Sequence, residues 1–356
     1  CWVEDSRLVV LNAMAARDNG ARIMTRTACT GLTAEGGRWL VETDQCDTIT
    51  AGMVINATGP WVRDLPETAG LGRAARDFPA IRRVKGSHIV VPRLYHGEQA
   101  YILQQRDGRI VFAIPYERDY TLIGTTETDY QGDPGATALD DAETDYLLNA
   151  ANAYFTRQLE AADIIHSYSG VRPLIDDNTS DASSASRDYK LHEAEIAEAP
   201  IINVYGGKLT TYRVLAQDCA KNVEDRMSVD KHGPWTTDTP LPGGDIPDAD
   251  FEAFYAQLHR DYAFLDAGTC YRLARAYGTL ARTHILRDAQ EISDLGQHFG
   301  CGIYQREIDY LLSYEFAQAL EDILWRRSKL GMHIDIATYD RLRRYLYGGN
   351  TTGYDE

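Results

Sequence analysis

The densest chemical signal in the sequence is Gly206-Gly207-Lys208-Leu209-Thr210-Thr211-Tyr212-Arg213. Two glycines after the apolar run Ile201 to Tyr205 let the backbone approach a ligand. The helix expected to follow presents unpaired N–H groups and a partial positive charge. Such a helix end can hold a phosphate or stabilise charge on a reduced flavin, with Lys208 adding a point charge from the loop. The same pattern also suits an ordinary turn with an exposed lysine. Arg172 precedes Pro173, so its backbone is extended and stiff. Arg187 stands in another strand-like segment, Ser186 to Tyr189. Two arginines on neighbouring strands make a bidentate clamp for a phosphate or carboxylate, or a pair of surface ion pairs. His88, in Lys85-Gly86-Ser87-His88, begins a strand after a glycine and can take the proton from a hydroxyl. A strand histidine serves a structural role just as readily. Asn56-Ala57-Thr58-Gly59 follows the apolar run Met53-Val54-Ile55, the form of a parallel strand delivering a loop to a dinucleotide.

These residues need elements to hold them. Leu8, Leu11 and Ala15 alternate with Val10 and Met14, which predicts a first helix capped by Asp5 or Ser6 and stopped at Asn19-Gly20. A strand over Arg22 to Thr27 and a hairpin through Glu35-Gly36-Gly37 into Trp39 to Glu42 are expected next. Between 85 and 130 the pattern is antiparallel, with strands at Ser87–Val91, Ala100–Gln104, Arg109–Ile114 and Tyr120–Gly124. Asp107-Gly108 is a strong hairpin turn between two of them. Asp140 to Leu159 reads as a helix, as does the segment ending at Met227. Residues 231–249 are a linker rich in Pro, Gly and Asp. Beyond it Ile308, Leu311, Leu312, Phe316, Leu320, Ile323 and Leu324 form one apolar stripe at helical spacing.

Composition sets the outer limits. A chain of 356 residues can bury two or three cores. Its net charge of −17 argues against a nucleic-acid binder, although clustered arginines can still attract an anionic substrate locally. No run of about 18 apolar residues exists, so no span is expected. The 6 cysteines are scattered without metal-like spacing, which suits a reducing cytoplasm and no metal site.

In this order, Asn56-Ala57-Thr58-Gly59-Pro60-Trp61, Lys85-Gly86-Ser87-His88, Ile123-Gly124-Thr125-Thr126, Tyr168-Ser169-Gly170-Val171-Arg172-Pro173-Leu174 and Gly206 to Arg213 strongly resemble bacterial FAD-dependent, quinone-linked glycerol-3-phosphate dehydrogenases. Cys1-Trp2-Val3 and Leu324 to Gly331 resemble that family as well. The resemblance implies oxidation of sn-glycerol 3-phosphate to dihydroxyacetone phosphate, with electrons passing through FAD to a quinone. It implies an α/β fold, FAD/NAD(P)-binding and Rossmann-like but incomplete, plus an antiparallel-sheet substrate domain and an all-α C-terminal domain. The expected division is 1–80 and 206–230 in the FAD-binding domain, 81–205 in the substrate domain and 250–356 in the helical domain. By the same resemblance Arg172, Arg187 and Lys208 bind the substrate phosphate, Thr125 lines the pocket, and His88, Arg172 and Lys208 serve catalysis, His88 as proton acceptor. Thr58, Gly59, Gly170, Gly207, Lys208, Leu209 and Thr210 are the implied FAD contacts. A homodimer, cytoplasmic and peripheral at the inner face of the membrane, is implied for the full-length protein.

Members of that family open with a strand, a GxGxxG turn and an acidic residue for the ADP ribose. That order has no counterpart in this sequence, and the native protein is expected to be longer. Three other readings stay open: a glycerol-3-phosphate oxidase using oxygen, an amine or amino-acid oxidase of the same flavin fold, and a non-catalytic binding or oligomerisation module.

Overall fold

The computed structural model describes residues 3–45, 48–72, 76–175, 188–227, 229 and 233–348. Contacts divide the chain into a continuous unit, Arg26–Pro234, and a discontinuous one, Cys1–Thr25 with Trp235–Glu356.

The discontinuous unit begins with α1 (Asp5–Asp18). Glu4 precedes it without a side-chain cap, so neither Asp5 nor Ser6 is the capping residue. The reading of 1–80 as one domain differs from the observed division, and the reason is chemical. Arg7 on α1 is buried, and its guanidinium meets the fully buried Glu315 through both Nη atoms, Nη2 at 2.8 Å. A buried charge must be paired, and its partner lies in the C-terminal part of the chain.

In the continuous unit, β1 (Cys29–Glu35), β2 (Arg38–Thr43) and β3 (Ile49–Ala51) form an antiparallel meander. The hairpin through Gly36-Gly37 is present, but Arg22 to Thr27 is not a strand: Arg26 has φ +52°, which breaks extended backbone. Next come β4 (Val54–Asn56), a single-turn 3-10 helix at Gly59–Trp61 and α2 (Asp64–Thr68). The large antiparallel sheet follows: β5 (Ile81–Pro92), β6 (Tyr101–Gln104), β7 (Ile110–Tyr116), β8 (Tyr120–Gly124) and β9 (Thr128–Asp129). Helix α3 (Asp141–Asn152) interrupts it before β10 (His166–Ile175) returns beside β5. Strand order is β10-β5-β8-β7-β6, with β9 on β5.

Ile89, Val91, Leu103, Val111, Ala113 and Ile123 on one face of this sheet pack against Leu147, Leu148 and Ala151 of α3. Helix α3 starts where Asp140 accepts from the Glu143 N–H, a cap worth ~1 kcal/mol. It stops at Asn152 rather than Leu159, because Asn152 turns its side chain onto the Leu159 backbone instead. Finally β11 (Lys190–Ile196) pairs antiparallel with β12 (Ala199–Tyr205), β12 pairs parallel with β4, and α4 (Tyr212–Met227) follows.

The rest of the discontinuous unit is mostly helical: α5 (Phe251–Asp261), α6 (Ala267–Tyr277), a two-stranded hairpin of β13 (His298–Gly300) and β14 (Ile303–Tyr304), α7 (Gln305–Tyr314) and α8 (Ile336–Tyr347). The apolar stripe from Ile308 to Leu324 is not one helix. Phe316 at φ +59° breaks it after α7, and a π-helical turn, Asp322–Arg327, carries its second half.

Candidate functional site

Strand β5 is the hub. Along Lys85-Gly86-Ser87-His88, side chains alternate between the two faces of the sheet. Lys85 and Ser87 turn toward α3, while Gly86 and His88 point to the opposite face. Opposite Gly86 and His88 on β10 stand Gly170 and Tyr168; opposite His88 on β8 stands Gly124.

Both β5–β8 glycines make room for a site residue. A Cβ at Gly86 would lie 2.5 Å from Thr125 Oγ1 and 2.6 Å from Arg172 Nη1. A Cβ at Gly124 would lie 2.1 Å from Cδ2 of His88. The imidazole therefore lies over Gly124, and its other neighbour is the Tyr168 ring. Arg172, on β10 two residues beyond Gly170, donates from Nη2 to Thr125 Oγ1 at 3.1 Å. His88, Thr125, Gly170 and Arg172 are thus brought together on the sheet face away from α3. Tyr168, Gly86 and Gly124 belong to the same cluster. No role was read for them from the sequence, although the two-residue spacing of Tyr168 from Gly170 and of Gly86 from His88 is a signal that would have found those two; Gly124 is brought in by the β5–β8 register.

A second cluster sits at the ends of β4 and β12. These strands run parallel with Asn56 opposite Asn203, so the loops that leave them, Ala57-Thr58-Gly59 and Gly206-Gly207-Lys208, emerge side by side. Asn56 Nδ2 donates to Asn203 Oδ1 at 2.8 Å and to the Val62 carbonyl at 2.9 Å, while Thr58 Oγ1 donates to Asn56 Oδ1 at 2.7 Å. Gly206 and Gly207 have φ of +65° and +95°, and a Cβ at Gly206 would meet the Asp188 carbonyl at 2.7 Å. Only glycine fits that turn. Lys208 then enters a 3-10 turn, Leu209–Thr211, that leads into α4, with its backbone N–H bound to Thr211 Oγ1 at 3.2 Å. Lys208, Leu209 and Thr210 are exposed. Arg83 of β5 ties the two clusters together by donating from Nε and Nη2 to the Pro60 carbonyl at 3.0 and 2.8 Å. Arg187 lies outside the described residues.

Arg172 brings positive charge to the open face, while Glu143 and Asp140 lie behind the sheet with Lys85, and Asp129 is paired with Arg82 of β5. Burial alone would lower the Lys85 pKa, but hydrogen bonds and charge from Glu143 and Asp140 outweigh it and raise it. Burial pushes the Tyr205 phenol up to about 12.

The parallel-strand ends fit a flavin dinucleotide. Gly59 at φ +58° has open space where a side chain would stand, and so has Gly170. Trp61 and Leu209 present exposed apolar surface at these same strand ends, suited to a planar ring. Crevices at the carboxyl ends of parallel strands are where nucleotides bind in α/β sheets.

Residues 1–206 match the FAD dependent oxidoreductase family, and residues 234–343 match the C-terminal domain of alpha-glycerophosphate oxidase. The chain is 46% identical to glycerol-3-phosphate dehydrogenase of Pseudomonas aeruginosa, over 97% of this chain and 67% of that protein. It is 42% identical to D-erythritol 1-phosphate dehydrogenase of Brucella abortus, over 94% of this chain and 66% of that protein. The solved glycerol-3-phosphate dehydrogenase of Bacillus halodurans, complexed with FAD, superposes with a TM-score of 0.80 at 27% identity, covering 96% of this chain and 67% of that one. The chain therefore spans about two thirds of each of these relatives. Among the described residues, no helix is long and apolar enough to cross a membrane. With FAD as its cofactor, the chain belongs to the glycerol-3-phosphate dehydrogenase family of FAD-dependent oxidoreductases.

Proposed function

We propose that the protein containing this chain oxidises sn-glycerol 3-phosphate at C2 to dihydroxyacetone phosphate and passes the electrons to a quinone. The observation that carries this reading is the Arg172–Thr125 pair on the same open sheet face as His88, with Gly86 and Gly124 clearing the space between. An anion holder and a proton acceptor stand on adjacent strands, as a phosphorylated alcohol requires.

Arg172 holds the phosphate through its planar guanidinium, oriented by Thr125, and Lys208 adds charge from the glycine turn. Arg187 is assigned to the same anion by the family resemblance alone. His88 takes the hydroxyl proton as the C–O bond becomes a carbonyl. FAD, when bound, accepts the hydrogen leaving C2 with its two electrons. Thr58, Gly59, Gly170, Gly207, Leu209 and Thr210 are its proposed contacts, through backbone that lacks bulk or lies exposed. Quinone as acceptor, a homodimer and a peripheral place at the cytoplasmic membrane face belong to this same proposal.

The likeness to a D-erythritol 1-phosphate dehydrogenase supports a second reading, in which the polyol phosphate is longer. Both substrates carry a phosphate and a secondary alcohol, so the Arg172 site serves either. Anaerobic bleaching of the bound flavin decides. It is run on the FAD-loaded protein with glycerol 3-phosphate and with erythritol 1-phosphate. Rapid bleaching by glycerol 3-phosphate alone supports the first reading; preference for erythritol 1-phosphate replaces it with the second. Bleaching by neither removes both. Rapid hydrogen peroxide formation in air would move the acceptor from quinone to oxygen.

A further inference from the structure

Behind the open face, one carboxylate accepts from two hydroxyl groups on separate segments and reaches a third through one of them. Ser87 Oγ of β5 donates to Glu143 Oε2 at 2.8 Å, and Thr126 Oγ1 donates to Glu143 Oε1 at 2.7 Å. Ser169 Oγ of β10 lies 2.7 Å from Ser87 Oγ. Because the Ser87 proton is committed to Glu143, Ser169 is the donor of that pair. Ser87 N–H also donates to Thr126 Oγ1 at 2.9 Å, and Thr126 N–H returns to the Ser87 carbonyl at 3.3 Å. Lys85 Nζ, 3.0 Å from Glu143 Oε2 and 3.0 Å from Asp140 Oδ2, balances the charge. Glu143, Ser87, Thr126 and Lys85 are all buried.

Each hydroxyl in this network is one residue from a member of the open-face cluster. Ser87 adjoins His88, Thr126 adjoins Thr125, and Ser169 lies between Tyr168 and Gly170. Along extended backbone, neighbours point to opposite faces, so fixing one side chain behind the sheet fixes its neighbour in front. An apolar contact would hold α3 on the sheet but would not set relative heights along the strands. Directional bonds to a buried carboxylate do.

We infer that Glu143 is a positioning residue: from behind the sheet its carboxylate holds β5 and the segment after β8 directly, and β10 through the Ser87 hydroxyl, and so sets the spacing of His88, Thr125 and Arg172 that the phosphate-bearing substrate meets. This rests on the proposed function for the substrate's identity.

The test compares wild type, Glu143→Gln and Leu148→Ala, each as the FAD-loaded protein. Gln at 143 keeps the helix-start bond to the Asp140 N–H and loses only the charge and one acceptor. Ala at 148 hollows the same helix–sheet interface without touching a hydroxyl. Glu143→Gln is expected to raise KM for glycerol 3-phosphate about tenfold with kcat within about threefold. The dissociation constant of inorganic phosphate, read from the flavin absorbance, should rise by a similar factor. Leu148→Ala should lower the thermal midpoint at least as far while leaving KM within about threefold. An unchanged KM and phosphate affinity in Glu143→Gln, or an equal rise in Leu148→Ala, overturns the inference. If wild type binds phosphate but is not bleached by glycerol 3-phosphate, only the substrate reading fails, and the phosphate arm still decides. A wild type that binds neither overturns both.

Discussion

The rings of His88 and Tyr168 stack across the β5–β10 pair, with centroids 4.9 Å apart and planes 11° apart. Held between this ring and Gly124, the imidazole has its plane fixed by neighbours on both sides. If His88 accepts the hydroxyl proton, its orientation governs the rate more than the binding. Tyr168→Leu should lower kcat about tenfold with KM within about threefold, while Tyr168→Phe keeps most of the rate. Equal loss of kcat in both variants would show that the phenol oxygen, not the stacked ring, matters.

Arg172 is the anion holder with a described partner on this face. Arg172→Ala should raise KM for glycerol 3-phosphate about a hundredfold, the scale of one or two charged hydrogen bonds. Arg172→Lys should recover only part of it, because an ammonium cannot offer the planar fork. Steady-state kinetics at fixed ionic strength would check both.

The glycines predict a split in the kinetics. Gly86→Ala places a methyl group 2.5 Å from Thr125 Oγ1 and 2.6 Å from Arg172 Nη1, so KM should rise about tenfold. Gly124→Ala places one 2.1 Å from the His88 ring, so kcat should fall instead. Finding the same parameter affected in both would mean that the two halves of the cluster act as one.

In the helical unit, Glu315→Ala leaves Arg7 buried and unpaired. The expected loss is about 3–5 kcal/mol of stability. The double change Arg7→Met with Glu315→Leu should cost much less, since it removes both charges together. Denaturant titration of the two variants would show whether that ordering holds.

Acid should weaken the continuous unit through His192. Burial and the nearby charge of Lys190 hold its pKa below the ordinary value, so the folded state favours the neutral ring. With the folded pKa depressed, this contribution is present above about pH 6.5 and is lost as pH falls toward the folded value. Between about pH 7.5 and about pH 5.5 the thermal midpoint of His192→Gln should fall less than that of wild type. A parallel fall in both proteins would assign the acid sensitivity elsewhere.

Much of the continuous unit was legible because its strands alternate and its turns are chemically marked. Asp107-Gly108 gave the β6–β7 hairpin, with Gly108 at φ +84°. Arg172 and Thr125 are in contact, and His88 lies on the same face of the sheet. What the sequence could not show is three-dimensional pairing. Glu143 looks like a helix-start residue, and nothing in its neighbourhood announces the Ser87 and Thr126 hydroxyls arriving from other segments. Phe316 fits the helical period, yet its positive φ ends the helix there. That turn follows Glu315, whose partner Arg7 lies 308 residues away. Residues 3–25 group with the helical unit for the same reason.

The Arg7–Glu315 pair also bears on how the chain is made. Ribosomal synthesis releases residues from the N-terminus onward, so α1 emerges long before the segment that neutralises its arginine. Arg26–Pro234 is continuous and can complete its own sheet contacts in the interval, whereas the helical unit must wait for its last third and then close a very long loop. Refolding should therefore show two phases, with the slower one belonging to the helices despite their local contacts. A rearranged chain that moves residues 3–25 to directly before Trp235 would remove that delay.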